Sequence, residues 1–124
     1  MSFENLRHEP YVSLETFRRS GQGVRTPVWV VGDDEHLYIF SAGEAGKVKR
    51  IRLNKTVRLA PCSYSGDIRG EWLPATARLV TDVAEANQVY RGFAAKYGWQ
   101  YRLLTFFSGL AGKVRERALI EISA

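Results

Sequence analysis

Sulfur is scarce in this chain of 124 residues, which has one cysteine, Cys62, and one methionine. A lone cysteine excludes an internal disulfide and any cysteine-built metal site, so neither a stapled secreted fold nor a zinc finger is expected. Stability must come from packing. Long apolar runs are missing too: none approaches the roughly 20 residues that span a bilayer, and Met1-Ser2-Phe3-Glu4-Asn5 has no basic stretch leading into an apolar one. A soluble, cytoplasmic protein with no membrane partner is the expectation. Histidine is limited to His8 and His36, in a polar segment and beside a turn, so neither is expected as a metal ligand or proton shuttle and no metal is expected. A nucleophile elbow, a paired-histidine motif, the dinucleotide pattern Gly-x-Gly-x-x-Gly and a Walker loop are all absent. Hydrolase and kinase chemistry lose their support.

What is present is ordinary for a folded protein, with 45% hydrophobic and 25% charged residues. One domain spanning residues 1–124 is expected, with no linker or internal repeat. Lysine and arginine number 18 against 13 acids, a net charge of +5, which favours an anionic partner: nucleic acid, a phosphorylated cofactor or an acidic membrane. The charge is unevenly spread. Residues 47–55 hold Lys47, Lys49, Arg50, Arg52 and Lys55 with no acid among them, and that is where an anion is to be sought.

Periodicity gives the order of elements. Residues 11–18 alternate, with Val12, Leu14 and Thr16 on one side and Tyr11, Ser13, Glu15 and Phe17 on the other, which predicts a strand. Ser20-Gly21-Gln22-Gly23 supplies a tight reversal into a second run, residues 24–31, dense in Val and Trp. Gly32-Asp33-Asp34-Glu35 is a further turn, and residues 36–40 read as a third strand extending the meander. Pro27 inside the second run implies an edge, a bulge or a strand end that faces something other than another strand, because it has no N–H to give. In residues 47–53, Val48 and Ile51 are spaced as the apolar stripe of a short helix, with Lys47 and Arg50 on one flank and Lys49 and Arg52 on the other. Residues 56–62 and 72–80 read as two more strands. Asp82 and Glu85 form a capping box at the start of a helix that Gly98 ends, a second short helix covers residues 99–110, and residues 114–122 read as a last strand. The sum is a mainly β chain of order β-β-β-α-β-β-α-α-β, and six antiparallel strands in so small a chain are best closed into a barrel that hides its edges.

Four segments in one order carry a resemblance: Tyr-Val-Ser-Leu-x-Thr-Phe-Arg at 11–18, Arg-Thr-Pro-Val-Trp at 25–29, Gly-Lys-Val-Lys-Arg-Ile at 46–51 and Ala-Pro-Cys at 60–62. They resemble the pyridoxamine 5′-phosphate oxidase-like split-barrel flavin and deazaflavin oxidoreductases, above all the small deazaflavin-dependent branch. The similarity runs on through residues 97–100 to 119–122 and so covers nearly the whole chain. What it implies is a six-stranded antiparallel split β-barrel with short helices, a homodimer, and flavin mononucleotide (FMN) or a deazaflavin (coenzyme F-420) in a groove between the two copies.

Such a cofactor has an anionic tail that needs fixed donors and a flat ring that needs apolar walls and backbone hydrogen bonds. Gly46 followed by Lys47, Lys49 and Arg50 at a helix start joins free N–H groups, the positive end of the helix dipole and mobile cations, which suits phosphate. The ring is expected along Arg25, Thr26, Pro27, Val28 and Trp29, where proline leaves a gap in the ladder and Thr26 or the neighbouring backbone meets the ring's polar edge. Ser41 is expected to add a hydroxyl to the phosphate. By similarity, Pro61 and Cys62 border the ring.

Each feature also has a plainer reading. A cationic run is commonly a solvated helix face, and Pro27 and its neighbours are commonly just an edge strand. Trp29 is as readily core as cofactor wall, Cys62 as readily a small buried hydrophobe. Trp99, Tyr101, Phe106 and Phe107 are expected in packing or in a dimer contact. The expectation is a hydride-transferring oxidoreductase acting on a small organic substrate. The alternatives are a non-catalytic binder of flavin or haem, and a small nucleic-acid-binding barrel. The last is disfavoured because the cations concentrate in one segment and do not interleave with exposed aromatics, so no nucleic-acid partner is expected.

Overall fold

The computed structural model describes residues 3–43, 45–110 and 117–124. In it the alternating segment forms β1 (Val12–Phe17), which pairs antiparallel with β2 (Gly23–Val28). The reversal is closed by the Arg18 N–H on the Gln22 carbonyl at 2.9 Å. Gly21 sits in it at φ +90°, a conformation open to a residue without a Cβ.

The second run does not continue to residue 31 as a single strand. It breaks at Trp29 and Val30 and resumes as a two-residue β3 (Val31–Gly32), which turns into β4 (His36–Ala42). The Asp33 carboxylate accepts the N–H groups of Glu35 and His36 at 2.9 and 2.8 Å and so shapes the turn between them. The expected meander is corrected here, since β4 pairs with β3 and not with β2. The physical reason is that the backbone of Val30 is taken by side chains: its N–H donates to the Tyr97 hydroxyl at 2.9 Å and its carbonyl accepts from Lys96 Nζ at 2.6 Å. A chain held this way leaves one end of the sheet and rejoins at the other.

With β5 (Thr56–Pro61), β6 (Leu73–Val80) and β7 (Arg117–Ser123) the sheet has seven antiparallel strands in the order β2-β1-β5-β6-β7-β4-β3. The strand beyond the expected six is β3. Of the expected last strand, residues 114–116 lie outside the described residues. The sheet curls into a half-barrel, and among the described residues no ladder joins β2 to β3, so the barrel is split along that seam.

Register assigns the faces. Leu14 lies opposite Thr26 and Leu59, Ile120 opposite Ile39 and Leu79, and with a period of two these residues face the barrel interior. The helix α2 (Gly46–Leu53) adds buried Val48 and Ile51 to that core. A short helix not anticipated from the sequence, α1 (Glu4–Arg7), plugs it further with Leu6 and the preceding Phe3. Two longer helices, α3 (Val83–Tyr97) and α4 (Trp99–Leu110), make a second core on the outer face around Phe93, Tyr97, Tyr101 and Leu119. α3 starts where expected, with the Asp82 carboxylate accepting the Glu85 N–H at 2.9 Å. No helix among the described residues is long and apolar enough to cross a membrane.

Candidate functional site

A cleft of about 230 Å³ opens at the seam, where the end of β2 approaches β4. Pro27, Val28 and Trp29 form one wall and Phe40 and Ser41 the other, while Lys47 from α2 and Leu104 from α4 close the ends. The strand arrangement explains why these residues meet. Among the described residues β2 has a ladder partner only in β1, so its other edge is left toward the seam. Pro27 has no N–H to leave unsatisfied there.

The cations of α2 divide by helical phase. Lys47 is half-buried and lines the cleft; burial, then the charge of Arg50, lower its ammonium from the ordinary value. Arg50 donates from Nε to the hydroxyl of the fully buried Thr16 at 2.6 Å. Burial, then Arg18, lower its affinity for the proton. A Cβ on Gly46 would come within 2.7 Å of the Arg50 guanidinium, so glycine is what lets that side chain fold back over the start of the helix. Neither Lys47 nor Arg50 has a carboxylate partner among the described residues. The first turn of α2 carries no acid, and the Ala45 side chain provides no cap, which leaves a positive end with donors to spare among the described residues.

Of the residues singled out from the sequence, the fold therefore brings Pro27, Val28, Ser41 and Lys47 together in one cleft, with Arg50 on the same helix beside it. The others lie elsewhere. Lys49 is exposed on the opposite flank of α2. Thr26 points inward across from Leu14. Arg25 lies on the outer face, where its Nε meets Glu15 Oε2 at 3.0 Å and its guanidinium covers the Trp72 ring at 4.6 Å. Pro61 pairs with Val12, and Cys62 is buried beyond it, its thiol pushed up by burial. None of these five lines the cleft.

Phe40 and Leu104 were not singled out, because nothing local distinguishes them from core residues, and Trp29 was left open between core and wall. Trp29 stacks on Tyr97 with ring centroids 4.4 Å apart and planes at 10°, and meets Phe40 edge-on at 6.3 Å. It is both at once.

A larger cavity of about 640 Å³ lies between α3 and the β3–β4 hairpin. Its charges are already matched: Arg7 pairs with Asp34 at 2.9 Å, Glu85 with Arg78 at 2.9 Å, and Lys96 donates to three backbone carbonyls. The smaller cleft is the better anion site, because the three N–H groups of Lys96 are spent on carbonyls, whereas the Lys47 ammonium has no partner among the described residues and keeps its donors for an anion.

The sequence matches no protein-family model and no curated protein. Solved structures do match, at low identity. A candidate pyridoxamine 5′-phosphate oxidase from Listeria innocua aligns over 94% of this chain and 85% of its own, at 15% identity and a TM-score of 0.67. The heme storage protein HutZ from Vibrio cholerae aligns over 94% and 82%, at 14% identity and 0.70. An F-420-dependent reductase aligns over 92% and 94%, at 18% identity and 0.64. The chain has the split-barrel fold of the pyridoxamine 5′-phosphate oxidase-like proteins.

Proposed function

We propose that the chain is an oxidoreductase that holds FMN or a deazaflavin such as coenzyme F-420 in the seam cleft and moves hydride to or from a small organic substrate. The observation that carries this reading is the meeting of a half-buried Lys47 without a carboxylate partner among the described residues, the Ser41 hydroxyl and the open edge of β2 in one apolar-walled cleft. These residues suit such a group. Lys47, with the uncapped start of α2, would hold a phosphate, and Arg50 would add charge beside it. Pro27, Val28 and the flat face of Trp29 would border a ring. Among the described residues Lys47 is the one titratable side chain lining the cleft; with neither a carboxyl nor an imidazole among them there, the residues bind, orient and keep water out. A flavin or deazaflavin, when bound, supplies the hydride chemistry itself.

The cleft is smaller than the roughly 300–1,000 Å³ of sites that enclose a small molecule, so a further wall is needed. We assign that wall to a second copy of the chain in a homodimer. Trp99, Leu103 and Phe106 on α4 are exposed at 71%, 47% and 61% and share one face of the helix whose Leu104 closes the cleft. The two-fold pairing of such a stripe would cover it.

Titration of the purified protein with FMN and with coenzyme F-420 tests the proposal. Binding of one of them at micromolar concentration is expected, followed by substrate reduction that depends on a reductant. Absence of binding by both would remove the reading. Binding without turnover on any acceptor would instead favour a carrier, a role in keeping with the heme storage protein that shares the fold.

A further inference from the structure

We propose that Lys96 and Tyr97 are positioning residues for the cleft: by gripping the backbone of Val30 from two directions they set the place of Trp29, its aromatic wall. Val30 is fully buried and lies between β2 and β3, outside both strands. Buried backbone groups require partners, and here side chains supply them. The Val30 N–H donates to the Tyr97 hydroxyl at 2.9 Å, the Tyr97 O–H donates to the Pro10 carbonyl at 2.8 Å, and the Lys96 ammonium donates to the Val30 carbonyl at 2.6 Å. The same ammonium reaches the carbonyls of Arg7 at 2.9 Å and Glu9 at 2.7 Å. One cation thus ties α3 to the segment after α1 and to the break in the sheet.

Trp29 is adjacent in sequence to this clamp and in contact with it, since its indole stacks on the Tyr97 ring. Removing the clamp leaves the stack but frees the backbone that aims it.

The clamp is also sensitive to protonation. An ammonium has three N–H groups for three carbonyls, whereas the neutral amine has two and turns a lone pair toward the third. Burial lowers Lys96 to about 8, with Glu9 acting in the opposite sense. The titratable and charged side chains around it are Arg7, Glu9, Tyr97 and, across the larger cavity, Asp33, Tyr38 and Glu85. Burial moves both phenols upward, Tyr97 to about 12, and the N–H groups of Glu35 and His36 hold Asp33 low.

The test reads Trp29 alone, in a protein carrying Trp72→Phe and Trp99→Phe, without any cofactor. Trp29 emission is expected to change with a midpoint near pH 8, and to be flat from about pH 7 to 9.5 when Lys96→Arg keeps the charge throughout. Tyr97→Phe, which keeps the ring and loses the hydroxyl, is expected to shift the emission already at pH 7. A flat profile in the parent, or the same transition persisting in Lys96→Arg, overturns the role of Lys96, and an unmoved spectrum in Tyr97→Phe overturns that of Tyr97. A final arm rests on the proposed cofactor site. FMN affinity should weaken by about fivefold between pH 7 and 9, the effect of one lost hydrogen bond, and not in Lys96→Arg. Equal weakening in both would cut the link between clamp and cleft. No FMN binding at any pH would count against the cofactor reading and leave the emission result to decide this inference.

Discussion

Arg50 donates from Nε to Thr16 Oγ1 at 2.6 Å, and Thr16 is wholly buried. This bond separates two cations that the sequence alone presents as equivalent. Lys47→Ala is expected to weaken FMN binding by about tenfold, the effect of one charge-assisted contact, with no loss of melting temperature. Arg50→Ala should weaken binding too, and it should also lower the melting temperature by about 3–5 °C, because the Thr16 hydroxyl is left without its donor. Equal melting temperatures for the two variants would show that the Arg50–Thr16 bond carries no stability.

Glu15 is 4% exposed and lies between two arginines, with Arg25 Nε at 3.0 Å and Arg58 Nε at 2.6 Å. Burial acts to raise its carboxyl, but hydrogen bonds from Arg25 and Arg58 and their charges hold it below the usual carboxylate value. A carboxyl lowered in the folded state adds stability above its unfolded pKa and loses it as pH falls through the folded one. Glu15→Gln should therefore cost about 2 kcal/mol at pH 7. Urea melts should show the gap between the two proteins closing below about pH 4. A gap of the same size at pH 3 and pH 7 would rule out the charge as its source.

Two glycines at positive φ should respond differently to alanine. Gly32 has φ +150°, and a Cβ there would sit 2.1 Å from the His36 carbonyl oxygen and 2.8 Å from Leu37 Cα. Both are backbone atoms that cannot swing aside, so Gly32→Ala should destabilise by more than about 3 kcal/mol. Gly21 has φ +90° with nothing within 4 Å, and Gly21→Ala should cost only about 1–2 kcal/mol of backbone strain. Denaturant midpoints in the reverse order would contradict the geometry of the β3–β4 turn.

The proposed dimer has a direct measure in light scattering at micromolar protein. Leu103→Glu with Phe106→Glu is expected to convert a dimer to a monomer and, by removing a wall of the cleft, to reduce FMN affinity as well. A parent protein that is already monomeric would dismiss the second copy, and the exposed face of α4 would then need another explanation.

What could be read from the residues in order was whatever depends on neighbours. The strand at β1, the helix periods, the reversal at Gly21, the Asp82–Glu85 cap and the split of the α2 cations into two flanks all follow from spacings of a few residues, and the structure bears them out, whereas the run at 24–31 is broken in two. The mainly β split barrel followed from that order together with the resemblance. A seam cleft holding Pro27, Val28, Ser41 and Lys47 was only partly legible: the residues could be named, but not the exclusion of Arg25, Thr26, Lys49, Pro61 and Cys62. Arg25 shares a face with Glu15 because the β1–β2 register sets the two directly opposite, a partner ten positions away along the chain. Where the sheet splits was not legible at all. That depended on Tyr97 reaching across 67 positions to the N–H of Val30, and no local pattern announces which side chain will satisfy a buried backbone group. Periodicity tells a residue which face it belongs to; only the closed fold tells it what stands opposite.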